Sequence, residues 1–201
     1  ITYDCVKKGR DISQDGARYI FHLILATGLA DAVDSLAAIK KLVFEDRSVS
    51  MSELIDALKN NWEGAERLRM QMINAVPKFG NDNDYVDEIA VRLLRDFEAR
   101  VVDWRTKQDR LKFVCGIGTF ENYAVLGRDI GASANGRHFG EALAPNYSPV
   151  AGQDVEGPTA AMRSITKPDL LRYYCGTPLD IAVNSNEFAG DAGIARMADL
   201  V

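Results

Sequence analysis

His22 sits inside an aliphatic run, Ile20-Phe-His-Leu-Ile-Leu25, and is one of two histidines in the chain. Two roles are open to an imidazole there. It can be a core histidine bonded to a carbonyl, or a pocket group that hydrogen-bonds a substrate or shuttles a proton. The second, His138, follows Arg137 in a glycine-rich loop; it reads as loop surface, and Arg137 as a brace on carbonyls or a substrate clamp. Two histidines without a Cys-x-x-Cys pair give no zinc donor set, so no metal ligand is expected. Gly116-x-Gly118 has Glu121 where a third glycine would stand, so it is no dinucleotide fingerprint. Cys5, Cys115 and Cys175 are odd in number and far apart. Free thiols in a reducing, cytoplasmic compartment suit them better than a disulfide framework.

These residues need elements to position them. Gly16 to Leu25 reads as a buried strand, closed by Gly28. Val33, Leu36, Ala37, Ile39 and Val43 form an apolar helical stripe, and Ser50-Met-Ser-Glu53 is a capping box that starts a helix over Met51 to Asn60. The spacing predicts another helix from Trp62 to Val76, ended by Pro77. Pro77-Lys-Phe-Gly-Asn-Asp82 is then a tight polar corner, with Gly80 free to take a positive φ and Asn81 to Asp84 available as caps. Val86, Ile89, Leu93, Phe97, Val101 and Trp104 carry a long helix to about Lys107. Leu111 to Ile130 reads as β, which puts Asn122, Tyr123 and Val125 on a strand whose inward parity is open. Residues 131–160 read as loop, Thr159 as the cap of a short helix, Pro178 to Val183 as a strand, and Gly193 onward as a last helix.

Composition narrows the function classes. The chain has 201 residues, 47% hydrophobic and 26% charged, enough for a fair core. Its net charge of -5 argues against general nucleic-acid binding, which needs a basic face. The run from Ile20 to Leu25 is far too short to span a bilayer. The chain starts at Ile1 and stops at Val201 within an amphipathic segment, so a piece of a longer polypeptide is expected.

Five ordered blocks carry a family resemblance. Pro77-Lys-Phe-Gly-Asn-Asp82 with Tyr85-Val-Asp-Glu88 resembles the "PKYGND…YVDE" signature of glycyl radical enzymes, the pyruvate formate-lyase-like superfamily. Asp4-Cys-Val-Lys-Lys-Gly-Arg-Asp-Ile12 with Gly16-Ala-Arg-Tyr19, and Ala32-Val-Asp-Ser-Leu-Ala-Ala-Ile-Lys-Lys-Leu-Val-Phe44, resemble two earlier segments. Gly131-Ala-Ser-Ala-Asn-Gly-Arg137 resembles "GAtPDGR". The run Ser148 to Lys167, through Gly157-Pro-Thr-Ala160, resembles the "SPxxGxDxxGPTA" stretch.

The resemblance implies an α/β fold, part of a ten-stranded α/β barrel built from two five-stranded half-barrels and surrounded by helices. Residues 1–201 would be a partial barrel domain, truncated at both ends. The family passes a glycyl radical to a cysteine thiyl, which abstracts hydrogen from substrate. The family's Gly-Cys-Val-Glu-Pro loop and Arg-Val-x-Gly-Tyr loop are both missing here, and no cysteine of this chain stands in a matching context. No catalytic residue is therefore expected in this chain. The implied function is radical cleavage of a small metabolite, of lyase, dehydratase or decarboxylase type, in anaerobic metabolism. The alternatives are a radical-addition enzyme of the hydrocarbon–fumarate kind and a non-catalytic helical interaction domain. No bound cofactor is implied; a separate S-adenosylmethionine iron–sulfur activase would install the glycyl radical, and the enzyme would be a homodimer. After Arg18-Tyr19 the family shows Asn and a Gly-rich stretch where this chain has Ile20 to Leu25. That departure implies an apolar pocket, with His22, Ile24, Asn122, Tyr123 and Val125 as the substrate-binding set.

Overall fold

The structure is a computed structural model that describes residues 2–107, 113–182, 186 and 188–200. Its organising element is the long helix α5 (Asp84–Lys107). Val86, Ala90, Leu94 and Val101 form its buried stripe, as the three- and four-residue spacing predicts. Against it lies α2 (Leu29–Ala38), which buries Val33, Ala37 and Ala38. The helix continues past Ala38 as a π-turn over Ile39–Glu45. There the Lys40 ammonium sits 4.0 Å from the Tyr85 ring centroid, and the Tyr85 hydroxyl donates to Glu45 at 3.1 Å.

Shorter helices complete this half. α1 (Cys5–Lys8) stops at Gly9, whose φ of 60° is the left-handed closure expected there. In α3 (Met51–Lys59), Ser50 Oγ accepts the Glu53 amide at 3.1 Å. α4 (Glu66–Asn74) begins four residues later than the periodicity predicts. Asn61, Trp62 and Gly64 all take positive φ, which swings the Trp62 indole into the core, where its Nε1 donates to Arg137 O at 3.2 Å. Burial of the largest side chain overrides local helix continuation.

Two parallel strands, β1 (His22–Ala26) and β2 (Phe113–Ile117), pair His22 with Phe113 and Ile24 with Cys115. The helices α2 to α5 are the crossover between them, as parallel pairing requires. On its other edge β2 accepts a third segment: Cys175 N donates to Cys115 O and Ile117 N to Gly176 O, at 3.1 and 3.0 Å. One sheet face carries Ile24, Phe113, Cys115 and Ile117 against the helical core. The other carries Leu23, Leu25, Val114 and Gly116, with Cys175 lying over Gly116.

Four expectations are corrected. The strand begins at His22 instead of Gly16, because Arg18 forks onto Asp4 with two 2.9 Å bonds and holds residues 17–19 in a bend. The β stretch expected over Leu111 to Ile130 is limited to Phe113–Ile117; Leu111 itself lies outside the described residues. Beyond it come a 3-10 turn, Phe120–Asn122, and α6 (Tyr123–Gly127). Residues 178–182 are irregular, and Val183 lies outside the described residues. Thr159 lies inside α7 (Pro158–Thr166), whose start is made by Pro158 and by Gly157 at φ 86°. The last helix, α8, spans Gly190–Leu200. Among the described residues no helix is long and apolar enough to cross a membrane.

Candidate functional site

Chemistry-bearing side chains gather in two places. The first is the polar corner between α4 and α5. Gly80 takes φ 93°, and a Cβ there would collide with the Pro149 ring, so only glycine fits. Asn83 Oδ1 accepts the Tyr85 amide at 3.1 Å and starts α5. Asn81 reaches across to the Gln153 carbonyl and the Glu156 amide at 2.8 and 3.0 Å, tying the corner to the following loop.

Beneath the corner lie buried charges. Asp34, 1% exposed, accepts the Phe79 amide at 2.8 Å. Burial pushes its carboxyl up to about 7, while the Phe79 N–H and nearby Lys78 pull the other way. Lys78 donates to Met72 O at 3.0 Å, and its burial lowers it. Asp31 accepts Ala144 N at 2.6 Å and Asn135 Nδ2 at 2.8 Å, yet burial still raises it. Arg137 spends its terminal nitrogens on the carbonyls of His138, Glu141, Ile130 and Gly131, so it braces its own loop. Lys167 meets Asp84 and Asp87 at 2.6 Å each and Asp82 at 3.1 Å, pinning α7 to α5. Most of these polar atoms are spent on one another and on backbone, while Asp34 Oδ2, Asp87 Oδ1 and Arg137 Nε are buried without a hydrogen-bond partner among the described residues. The corner acts mainly as a lock, although Asp31, Asp34, Lys78 and Arg137 also line a cavity of about 190 Å³ beneath it.

The second place is the carboxyl end of the sheet, where parallel α/β sheets carry their ligands. Gly118 N donates to Ala26 O at 3.1 Å, and the chain then turns through Thr119 and Phe120 into Asn122 and Tyr123. The expected site residues do not converge. Asn122, Tyr123 and Val125 lie on a 3-10 turn and on α6, not on a strand, so their directions follow helical spacing. His22 is exposed at the opposite end of β1, about 13 Å from the carboxyl end by strand rise. Its ring lies 5.5 Å from that of Phe113, which lies 5.0 Å from Trp104 of α5. His22 and Ile24 thus share the helix-facing side of the sheet. Strand alternation gives the other side to Leu23, 63% exposed, and Leu25. Among the described residues no disulfide forms; Cys115 Sγ lies 3.5 Å from Arg172 O, and Cys115 and Cys175 point to opposite sheet faces.

Residues 1–127 match the pyruvate formate lyase-like family. The chain belongs to that family. Trans-4-hydroxy-L-proline dehydratase of Clostridioides difficile is 35% identical over all of this chain and 25% of its own length. Isethionate sulfite-lyase of Nitratidesulfovibrio vulgaris is 40% identical over 87% of this chain and 21% of its own. Among solved structures, glycerol-bound B12-independent glycerol dehydratase of Clostridium butyricum superposes with TM-score 0.88 and 32% identity, covering 98% of this chain and 25% of that one. A glycyl radical enzyme of Archaeoglobus fulgidus gives 0.86 at 33% identity. The chain spans about a quarter of the length of these pyruvate formate lyase-like relatives.

Within the family fold, sequence reading missed the buried aspartates and the turn after β2. Asp31 and Asp34 stand three apart and flank buried Val33 within the apolar face of α2, which was the available signal. The partners of Thr119 lie 27 residues away, and no local pattern announces them.

Proposed function

We propose that the chain is part of a glycyl radical lyase that removes a leaving group from a small hydroxylated or amino-bearing metabolite through a substrate radical. The observation that carries this reading is the near-complete structural match to dehydratases at about a third sequence identity. The radical glycine and the thiyl cysteine would lie outside these residues. An S-adenosylmethionine iron–sulfur activase would install the radical, and the enzyme would act as a cytoplasmic homodimer. This chain would supply a segment of the ten-stranded barrel wall and the helical shell behind it.

Helices wrap such a barrel from outside, so the helix-free sheet face would be the lumen. Leu23, Leu25, Gly116 and Cys175 then face inward, with Asn122 and Tyr123 near the strand ends. His22 and Ile24 would belong to the shell. Standing alone as a helical module suits the chain poorly, because the edge of β1, unpaired among the described residues, and the exposed Phe21 and Leu23 invite association.

The test uses the complete protein with its activase, without oxygen. Electron paramagnetic resonance should show a glycyl radical, and product should form from glycerol, trans-4-hydroxy-L-proline or isethionate. A protein that gains no radical and turns over none of them would refute the lyase reading.

A further inference from the structure

Phe120 lies three residues beyond the end of β2 and takes φ 49°, a left-handed conformation that bulky residues rarely adopt. The residue is 69% exposed and belongs neither to the core nor to the half-buried residues packed on it. Nothing apolar among the described residues explains the strained backbone.

A set of polar bonds does hold it there. The Asn146 carboxamide oxygen accepts the amides of both Thr119 and Phe120, at 3.0 and 2.9 Å. Thr119 Oγ1 in turn accepts the Asn146 amide at 2.9 Å. Asn146 Nδ2 donates to Asp180 at 2.8 Å, and the Asp180 amide donates to Ser148 Oγ at 2.9 Å. Thr119, Asn146 and Ser148 are buried, so the inner part of this clamp is shielded from water, while Asp180 at its outer end is exposed. Three separate segments therefore cooperate to present one uncovered aromatic ring at the carboxyl end of two parallel strands. Strain held by a well-satisfied clamp marks a position shaped for something other than folding.

We infer that Phe120 is a specificity residue of the proposed lyase, its ring packing on the carbon skeleton of the substrate, with Asn146 as its positioning residue. The inference rests on the glycyl radical reading and on the sheet's carboxyl end facing the substrate. The ring offers an apolar surface and no proton, so it selects among substrates by their C–H surface and leaves bond cleavage to other groups.

The experiment compares Phe120→Gly, Phe120→Tyr and Asn146→Ala in the complete, activated protein, with whichever of glycerol, trans-4-hydroxy-L-proline or isethionate the unaltered enzyme turns over. Glycine accepts positive φ freely, so Phe120→Gly should keep or raise the thermal midpoint. It should also raise KM on the order of tenfold, with kcat changed far less. Phe120→Tyr should stay close to the unaltered enzyme in both. Asn146→Ala should raise KM in the same direction, with the glycyl radical signal intact. A lower midpoint for Phe120→Gly, or an unchanged KM with full radical signal, overturns the inference while leaving the lyase reading standing. An unaltered protein with neither radical nor turnover defeats the lyase reading, and the inference with it.

Discussion

The corner at Pro77 to Asp87 and the carboxyl end of the sheet are built from similar residue types and spend them differently. At the corner, Asp34, Asp87, Lys78 and Lys167 are buried or ion-paired, and most of their bonds go to neighbouring carboxylates, to Ser164 and to the backbone. At the sheet end, Thr119, Asn146 and Asp180 also bond one another, but what they hold up is an exposed ring. The first arrangement stores its polar energy in the fold. The second transmits it to a surface. A conspicuous sequence motif such as Pro-Lys-Phe-Gly-Asn-Asp can therefore be largely architectural, while a plain Gly-Thr-Phe carries the feature that faces outward.

The largest expected effect breaks the corner. Lys167→Met leaves the fully buried Asp87 carboxylate without its cation, and should cost about 3–5 kcal/mol in denaturant unfolding of the complete protein. Arg163→Met, which loses only the exposed 3.4 Å pair with Asp82, should cost under about 1 kcal/mol. Equal losses would mean that the corner is no more buried in effect than an ordinary surface.

Next comes the pH dependence of the buried carboxyl. Asp34 is raised above its ordinary value, so the native state holds that proton more tightly than the unfolded chain does. Its contribution to stability is present in acid and is lost as pH rises from about 4 towards about 7, then levels off. Asp31 acts in the same direction, whereas Asp82, lowered by its Lys167 hydrogen bond, loses stability as pH falls. The groups facing Asp34 are Lys78, Asp31 and Asp87. Asp34→Asn should flatten the fall between these pH values in unfolding curves. A slope unchanged by the substitution would remove Asp34 as its source.

Glycine positions sharpen the contrast further. Gly80→Ala meets both a positive φ and the Pro149 ring, and should cost roughly 2 kcal/mol or more. Gly64→Ala has φ 71° but open space around it, so only the backbone term of about 1 kcal/mol applies. Similar losses at the two sites would show that Pro149 yields without cost.

What could be read from the chain in advance follows the same division. Helices announced themselves through spacing, and the corner through Pro77, Gly80 and Asn83, because their causes are local. Sheet partners, strand parity and the Asn146 clamp did not, because each depends on segments 27 to about 90 residues apart. Asn122, Tyr123 and Val125 looked like strand for that reason. The residues alternate well enough, but capture of the Thr119 and Phe120 amides by a distant carboxamide turns the backbone before a strand can extend.

The smallest expected effect tests parity directly. His22 is exposed and its ring packs on Phe113, on the side of α5. His22→Ala should cost only about 0.5 kcal/mol, and it should leave KM unchanged, since a shell residue touches no substrate. Leu25 lies on the opposite face, where its side chain borders Gly116 beneath Cys175. In the proposed helix-wrapped barrel that face would be the lumen, so Leu25→Ala should alter KM while removing little packing from the helical core. The pair separates geometry from residue type, since an imidazole is the more obvious catalytic group and a leucine the less obvious one. A KM shift at His22 with none at Leu25 would reverse the assignment and put the helices' side of this sheet towards the substrate.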